Sequence, residues 1–280
     1  MIFNFTSKDD MNHTTLSTNS RTSPALGVAF IVLLNLLVFA YLQWGTDADF
    51  GAIVHYWAFS PVRIVESIKQ FELIASLGAI FRSMFTHLTL THLMGNMIPV
   101  VAIGMAIAKK AGNKTLLTTF FMGGFLAAIG TIALEPDNSA NIIGASGAAA
   151  ALYGFYLLDT IRNAKKQDHL QWAGLILAIL IVAALAGRFH AHMHSMLAIS
   201  PDILPRILDK IIIVSFFAGI VMKPRVLWTL AIVLWILANC YNLAMESLGL
   251  YETGSSILLH LFGVLAGVGI AWLKVRSQSF

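Results

Sequence analysis

Long apolar runs, separated by short breaks where lysine, arginine, aspartate and asparagine gather, organise this chain from about residue 25 to its end. They fall at 25–43, 87–108, 115–134, 142–158, 170–186, 206–222, 226–243 and 256–273, and most are long enough to cross a bilayer as a helix. The run 206–222 is the weakest, because Asp209 and Lys210 sit near its start. Residues 1–24 are polar and lack an apolar core, so they form a loose tail and not a signal peptide. The stretch 45–85 is mixed and is expected to be a partly helical loop at the membrane interface. The pattern predicts an all-α polytopic membrane protein of six to eight transmembrane helices. It runs from 25 to 275 and ends in a short tail at 276–280.

Composition agrees with the pattern. Of 280 residues, 58% are hydrophobic and only 11% charged, with a mean hydropathy of +0.77, which excludes an ordinary soluble domain. The net charge of +4 could suggest nucleic acid, but the basic residues sit between spans, where they act as topology signals. Lys109, Lys110 and Lys114 follow the second span, and Arg162, Lys165 and Lys166 the fourth. Lys223 and Arg225 separate the sixth and seventh, and Lys274 and Arg276 follow the eighth. With eight spans these clusters share one side. Both termini are then cytoplasmic, in what is expected to be a bacterial inner membrane. The lone Cys240 excludes an intramolecular disulfide.

The chemistry gathers in three places. Gly144-Ala145-Ser146-Gly147 opens the fourth span with a hydroxyl that has no bulk water to solvate it. His260, followed by Gly263 and Gly267, lies near the start of the last span. If the fourth span begins near Asn141, Ser146 lies on the order of 7 Å inside it, at a depth close to that of His260. Gly147, Ala151 and Gly154 form one small face, and His260, Gly263 and Gly267 another; such faces let helix backbones approach closely. Ser146 and His260 would then be nucleophile and base. In the second span His92 and Asn96, four apart, can point at one spot as donors to an oxyanion. His87, five earlier, would face elsewhere on a helix and reads as a structural histidine of the outer loop.

The order of these pieces (histidine, histidine five on, asparagine four on, Gly-x-Ser-Gly, then His-x-x-Gly-x-x-x-Gly) resembles the rhomboid family of intramembrane serine proteases. The resemblance implies a six-helix core, here with an extra helical pair within 165–225. It implies Ser146 as nucleophile and His260 as general base, with His92, Asn96 and the Ser146 backbone N–H as the oxyanion hole. Gly144, Gly147, Gly154, Gly263 and Gly267 would support helix packing. It also implies transmembrane protein substrates cut near the outer membrane boundary, with no cofactor. Two departures stand out. The family's aromatic residue four after the serine is Ala150 here, and its Trp-Arg pair is replaced by Gly78 and Ala79. They keep alive an alternative in which the protein binds membrane clients without cutting them. No Asp or Glu lies where it could orient His260, so packing is expected to do so.

His190, His192 and His194 alternate in a polar segment and could invite a metal. No carboxylate in ligand-like spacing accompanies them, so they read as a polar rim, with no metal site.

Overall fold

The computed structural model describes residues 23–46, 49–163, 224–247 and 256–276, together with 212, 214–216 and 218–219. Its helices are α1 (Pro24–Trp44), α2 (Phe50–Trp57), α3 (Pro61–Lys69), α4 (Leu73–Ser83), α5 (Leu90–Ala111), α6 (Asn113–Leu134), α7 (Ser146–Arg162), α8 (Pro224–Ser247) and α9 (Ile257–Arg276). Among the described residues five of them, α1, α5, α6, α8 and α9, are long and apolar enough to cross a membrane. The protein is thus all-α and polytopic, and the periodicity is that of helices buried on several sides. The run 170–186, most of 206–222, the inserted pair within 165–225 and His190, His192 and His194 lie outside the described residues.

Local chemistry sets the boundaries. Ser23 accepts from the Ala25 N–H and Pro24 occupies the first turn of α1, where a missing N–H costs nothing. Thr89 caps α5 by accepting from the His92 N–H at 3.2 Å. Gly112, at φ 88°, ends α5 and begins α6 in one residue, which makes a tight antiparallel hairpin. The side chain of Asn113 ties this turn to the start of α1. It donates to the Ser23 carbonyl at 2.9 Å and accepts from the Gly27 N–H at 3.3 Å.

Helix α7 is the axis of the molecule. Every residue from Gly147 to Tyr156 is buried, against α5, α6, α8 and α9. Alanines and glycines supply this contact, so the helices meet by backbone approach more than by large side chains. A larger cluster built on Val28, Ile31, Val100, Ile103, Leu116 and Phe120 joins α1, α5 and α6. At the end of the bundle remote from Ser146, Lys110 pairs with Asp159 at 2.5 Å. There Lys274 donates to the Ala111 carbonyl at 3.0 Å and the Thr115 hydroxyl at 2.5 Å.

The expected interfacial loop at 45–85 folds as α2, α3 and α4. The turn between α3 and α4 carries Phe71, 95% exposed at φ 62°, and the first turn of α4 carries Ile74, 87% exposed. Apolar side chains displayed this way on a short helical hairpin suit the boundary of a bilayer. One boundary differs from the expectation. The fourth span begins at Ser146, not near Asn141, so the serine stands at the helix start and not several residues inside it. The cause is a pair of antiparallel backbone bonds between Phe59 and Ile142, with N–H to carbonyl distances of 3.1 and 2.7 Å. They hold the Ile142 region extended although its composition is as apolar as a helix.

Candidate active site

A cleft of about 920 Å³ opens between α5, α7, α8 and α9, and Ser146, His260, His92 and Asn96 all line it. Tertiary packing thus brings together residues that are up to 168 positions apart in the chain. The serine is placed by the loop before it. Arg63 donates to the His55 carbonyl at 2.6 Å and to Asn141 Oδ1 at 2.7 Å, and so pins α2 to that loop. Asn138 is held in the same way. Its carbonyl accepts from the Val62 N–H and the Ser60 hydroxyl, and its amide donates to Glu135 at 2.7 Å.

Gly144 then turns the chain into α7 at φ 106°, a conformation that L side chains rarely adopt. A side chain there would also collide with His92, whose Nε2 lies 2.7 Å from the position a Cβ would take, while Asn96 Nδ2 lies 3.8 Å from it. Gly144 was expected to support helix packing. It lies instead in the loop, where its bare Cα makes room for the two side chains of α5. His92 and Asn96 therefore converge on the residue two before the serine. One amide hydrogen of Asn96 is engaged by the His92 carbonyl at 3.0 Å, which fixes the direction of the other.

Backbone donors are also accounted for. The Gly144 N–H bonds the Ser83 carbonyl at 2.8 Å and the Ala145 N–H bonds His87 Nε2 at 3.4 Å. The Ser146 N–H is the next in line, and as the first residue of α7 it has no intrahelical acceptor. Among the described residues it has no hydrogen-bond acceptor, and it stands at the positive end of a helix.

His87 is closer to the site than the helical spacing implied. The spacing argument fails because α5 begins only at Leu90, so His87 belongs to the turn before it. Its ring is fully buried, meets that of His92 edge-on at 4.8 Å, and holds the loop under the serine. Nδ1–H donates to the Phe85 carbonyl at 3.4 Å, leaving Nε2 to accept from Ala145. Burial, and then the neighbouring His92, push the His87 pKa down to about 3, so the ring stays neutral. The unfolded chain takes up this proton near pH 6.5 and the folded one does not, so stability is full above that value and declines as the pH falls toward 3. The thermal midpoint in detergent should drop by roughly several degrees across that window, and His87→Gln should flatten the slope. An unchanged slope in that variant would remove His87 as the cause.

Helices α7 and α9 meet at main-chain distance. A Cβ on Gly263 would collide with the Gly147 carbonyl oxygen, and one on Gly154 with that of Val264. One on Gly267 would clash still more closely with the Ala151 carbonyl. The first of these contacts is adjacent to Ser146 and one turn from His260. Among the described residues no hydrogen bond joins the serine hydroxyl to the histidine ring; bonds of this kind often tighten only in the substrate complex.

The orientation of His260 does not rest on packing alone. Its Nδ1 lies 2.6 Å from Asn239 Oδ1 on α8. Trp235, one turn earlier on α8, lays its ring 4.9 Å from the imidazole, and Tyr153 of α7 meets that indole edge-on at 5.1 Å. The aromatic neighbour missing at Ala150 is thus supplied from a different helix. Sequence reading missed Asn239 and Trp235, although their spacing of four, like that of His92 and Asn96, was a visible signal. Among the described residues no group of three or more His, Cys, Asp or Glu could hold a metal ion.

No curated protein gave a match to the chain in a search. The family model of the Rhomboid domain does match, over residues 75–200, a stretch that contains α5, α6 and α7 with His92, Asn96 and Ser146. That match falls on an all-α bundle of membrane-length helices, so the chain carries a stretch similar to the Rhomboid domain over residues 75–200.

Proposed function

We propose that the protein is an intramembrane serine endopeptidase that hydrolyses peptide bonds of single-span membrane proteins near the outer boundary of the bilayer. The observation that carries this reading is the convergence of Ser146, His260, His92 and Asn96 on one cleft. In the reaction, Ser146 Oγ attacks the scissile carbonyl while His260 Nε2 takes its proton. Negative charge then builds on the carbonyl oxygen, where the Ser146 N–H, His92 and Asn96 can donate to it in a site of low dielectric. His260 returns the proton to the departing amine, and water releases the acyl group by the same steps in reverse. Donors preset by the fold can stabilise the oxyanion without reorganising as the charge develops.

The cleft's lining includes polar Glu135, Asn138, Asn141 and Glu246 together with apolar or aromatic Ile212, Phe216, Tyr153 and Trp235. A substrate helix that unwinds at the boundary would find backbone partners among the first group and a hydrophobic surface among the second.

The test is purified protein in liposomes with a panel of single-span reporters, products being mapped by mass spectrometry. Cuts near the outer end of the reporter span support the reading. Reporters that bind but stay intact, together with failure of Ser146 to react with a serine-directed phosphonate, would replace it with client binding without cleavage.

A further inference from the structure

We infer that Asn239 is a positioning residue for His260, holding the imidazole as the Nδ1–H tautomer so that Nε2 presents its lone pair to Ser146. This role rests on the proposed reaction, but the geometry behind it stands alone. The Asn239 amide has two ends and both are used. Its Nδ2 donates to the Trp235 carbonyl at 2.9 Å, which leaves Oδ1 directed at the histidine 2.6 Å away. Turning the amide over would set an oxygen against the Trp235 carbonyl oxygen and two hydrogens against the ring, so the orientation is fixed by the helix backbone. An amide oxygen only accepts. Nδ1 must therefore carry the hydrogen, and in neutral imidazole Nε2 is then unprotonated.

The side chain of Asn239 is buried, 6% exposed, where an unmet amide is costly. Trp235 packs against the imidazole from the same helix, its ring tilted by 48° at 4.9 Å. Asparagine adds no charge, so α8 orients the base without bringing a carboxylate into the bilayer. As His260 gains a proton during attack, the same Oδ1 accepts a hydrogen bond from a cationic donor, which is stronger than the neutral one.

Protein labelled with ¹⁵N at histidine gives a direct reading, with the His260 signal identified by its loss in His260→Ala. The wild type should show a protonated Nδ1 and an unprotonated Nε2 at His260. Asn239→Leu should shift the ring toward the other tautomer or a mixture, and Asn239→Asp should restore the wild-type pattern. With a cleaved reporter, Asn239→Leu should lower kcat about tenfold or more at nearly constant KM, and Asn239→Asp should recover much of the loss. A wild-type spectrum with hydrogen on Nε2 overturns the inference, whether or not any variant folds. So does an Asn239→Leu spectrum unchanged from wild type. Absence of reporter cleavage by wild type, with the Nδ1–H signal present, would count against the protease reading and leave the hydrogen bond standing.

Discussion

Ser146→Ala is expected to slow cleavage of a reporter at least about 10⁴-fold, and His260→Ala to do nearly the same. In the proposed reaction the serine and histidine act on one proton in one step, so removal of either stops acyl transfer. The double variant should be no worse than either single one, because a unit that is already broken cannot be broken twice. What remains would come from the binding cleft and the oxyanion donors, which are untouched by both changes. Loss of a donor is a smaller injury. His92→Ala should cost roughly 10²–10³ in kcat, since two other N–H groups still face the oxyanion. Initial rates in liposomes with a single reporter measure the four variants and the wild type on one scale. Equal activity of Ser146→Ala and wild type would remove the serine from the mechanism.

Gly267→Val should prevent stable folding, with a loss of at least about 3 kcal/mol, near or beyond the upper end for added methyl groups in a packed interior. The atom in the way is the Ala151 carbonyl oxygen, part of a helix backbone that cannot rotate aside as a side chain can. Gly154 faces the Val264 carbonyl under the same restriction, so Gly154→Val should behave alike. Gly269, two positions on from Gly267, has nothing within 4 Å of its Cβ position, and Gly269→Ala should leave the unfolding midpoint unchanged. Thermal unfolding in detergent, followed by tryptophan fluorescence, compares the variants. Normal folding of Gly267→Val would mean that α7 and α9 are not in main-chain contact.

These same glycines mark where the sequence was most legible. Small residues at spacings of three and four can be read on paper as touching faces, because helical geometry converts spacing directly into direction. The grouping of Ser146, His260, His92 and Asn96 was legible through motif order, which carries information that no single residue holds. Asn239 was hidden for a physical reason. Its partner lies 21 residues away on another helix, and no spacing rule connects two helices whose relative rotation is set by tertiary packing. The start of α7 was misread because Ile142 and Ile143 look helical by composition, whereas a bridge to Phe59, 83 residues earlier, decides their conformation. His87 was misplaced by applying a helical angle across a turn.

The contact between α7 and α9 has a consequence for how a protein of this plan can vary. The relative placement of hydroxyl and imidazole is stored in backbone meeting backbone, where Gly147 faces Gly263 and Gly154 faces Val264. The walls that would greet a client, such as Phe216, Ile212 and Leu243, belong to neither interface residue set. Exchanging them changes what fits without disturbing the distance between the reacting groups. On this plan the cleft can be reshaped one side chain at a time while the spacing of hydroxyl and imidazole stays as the two backbones set it.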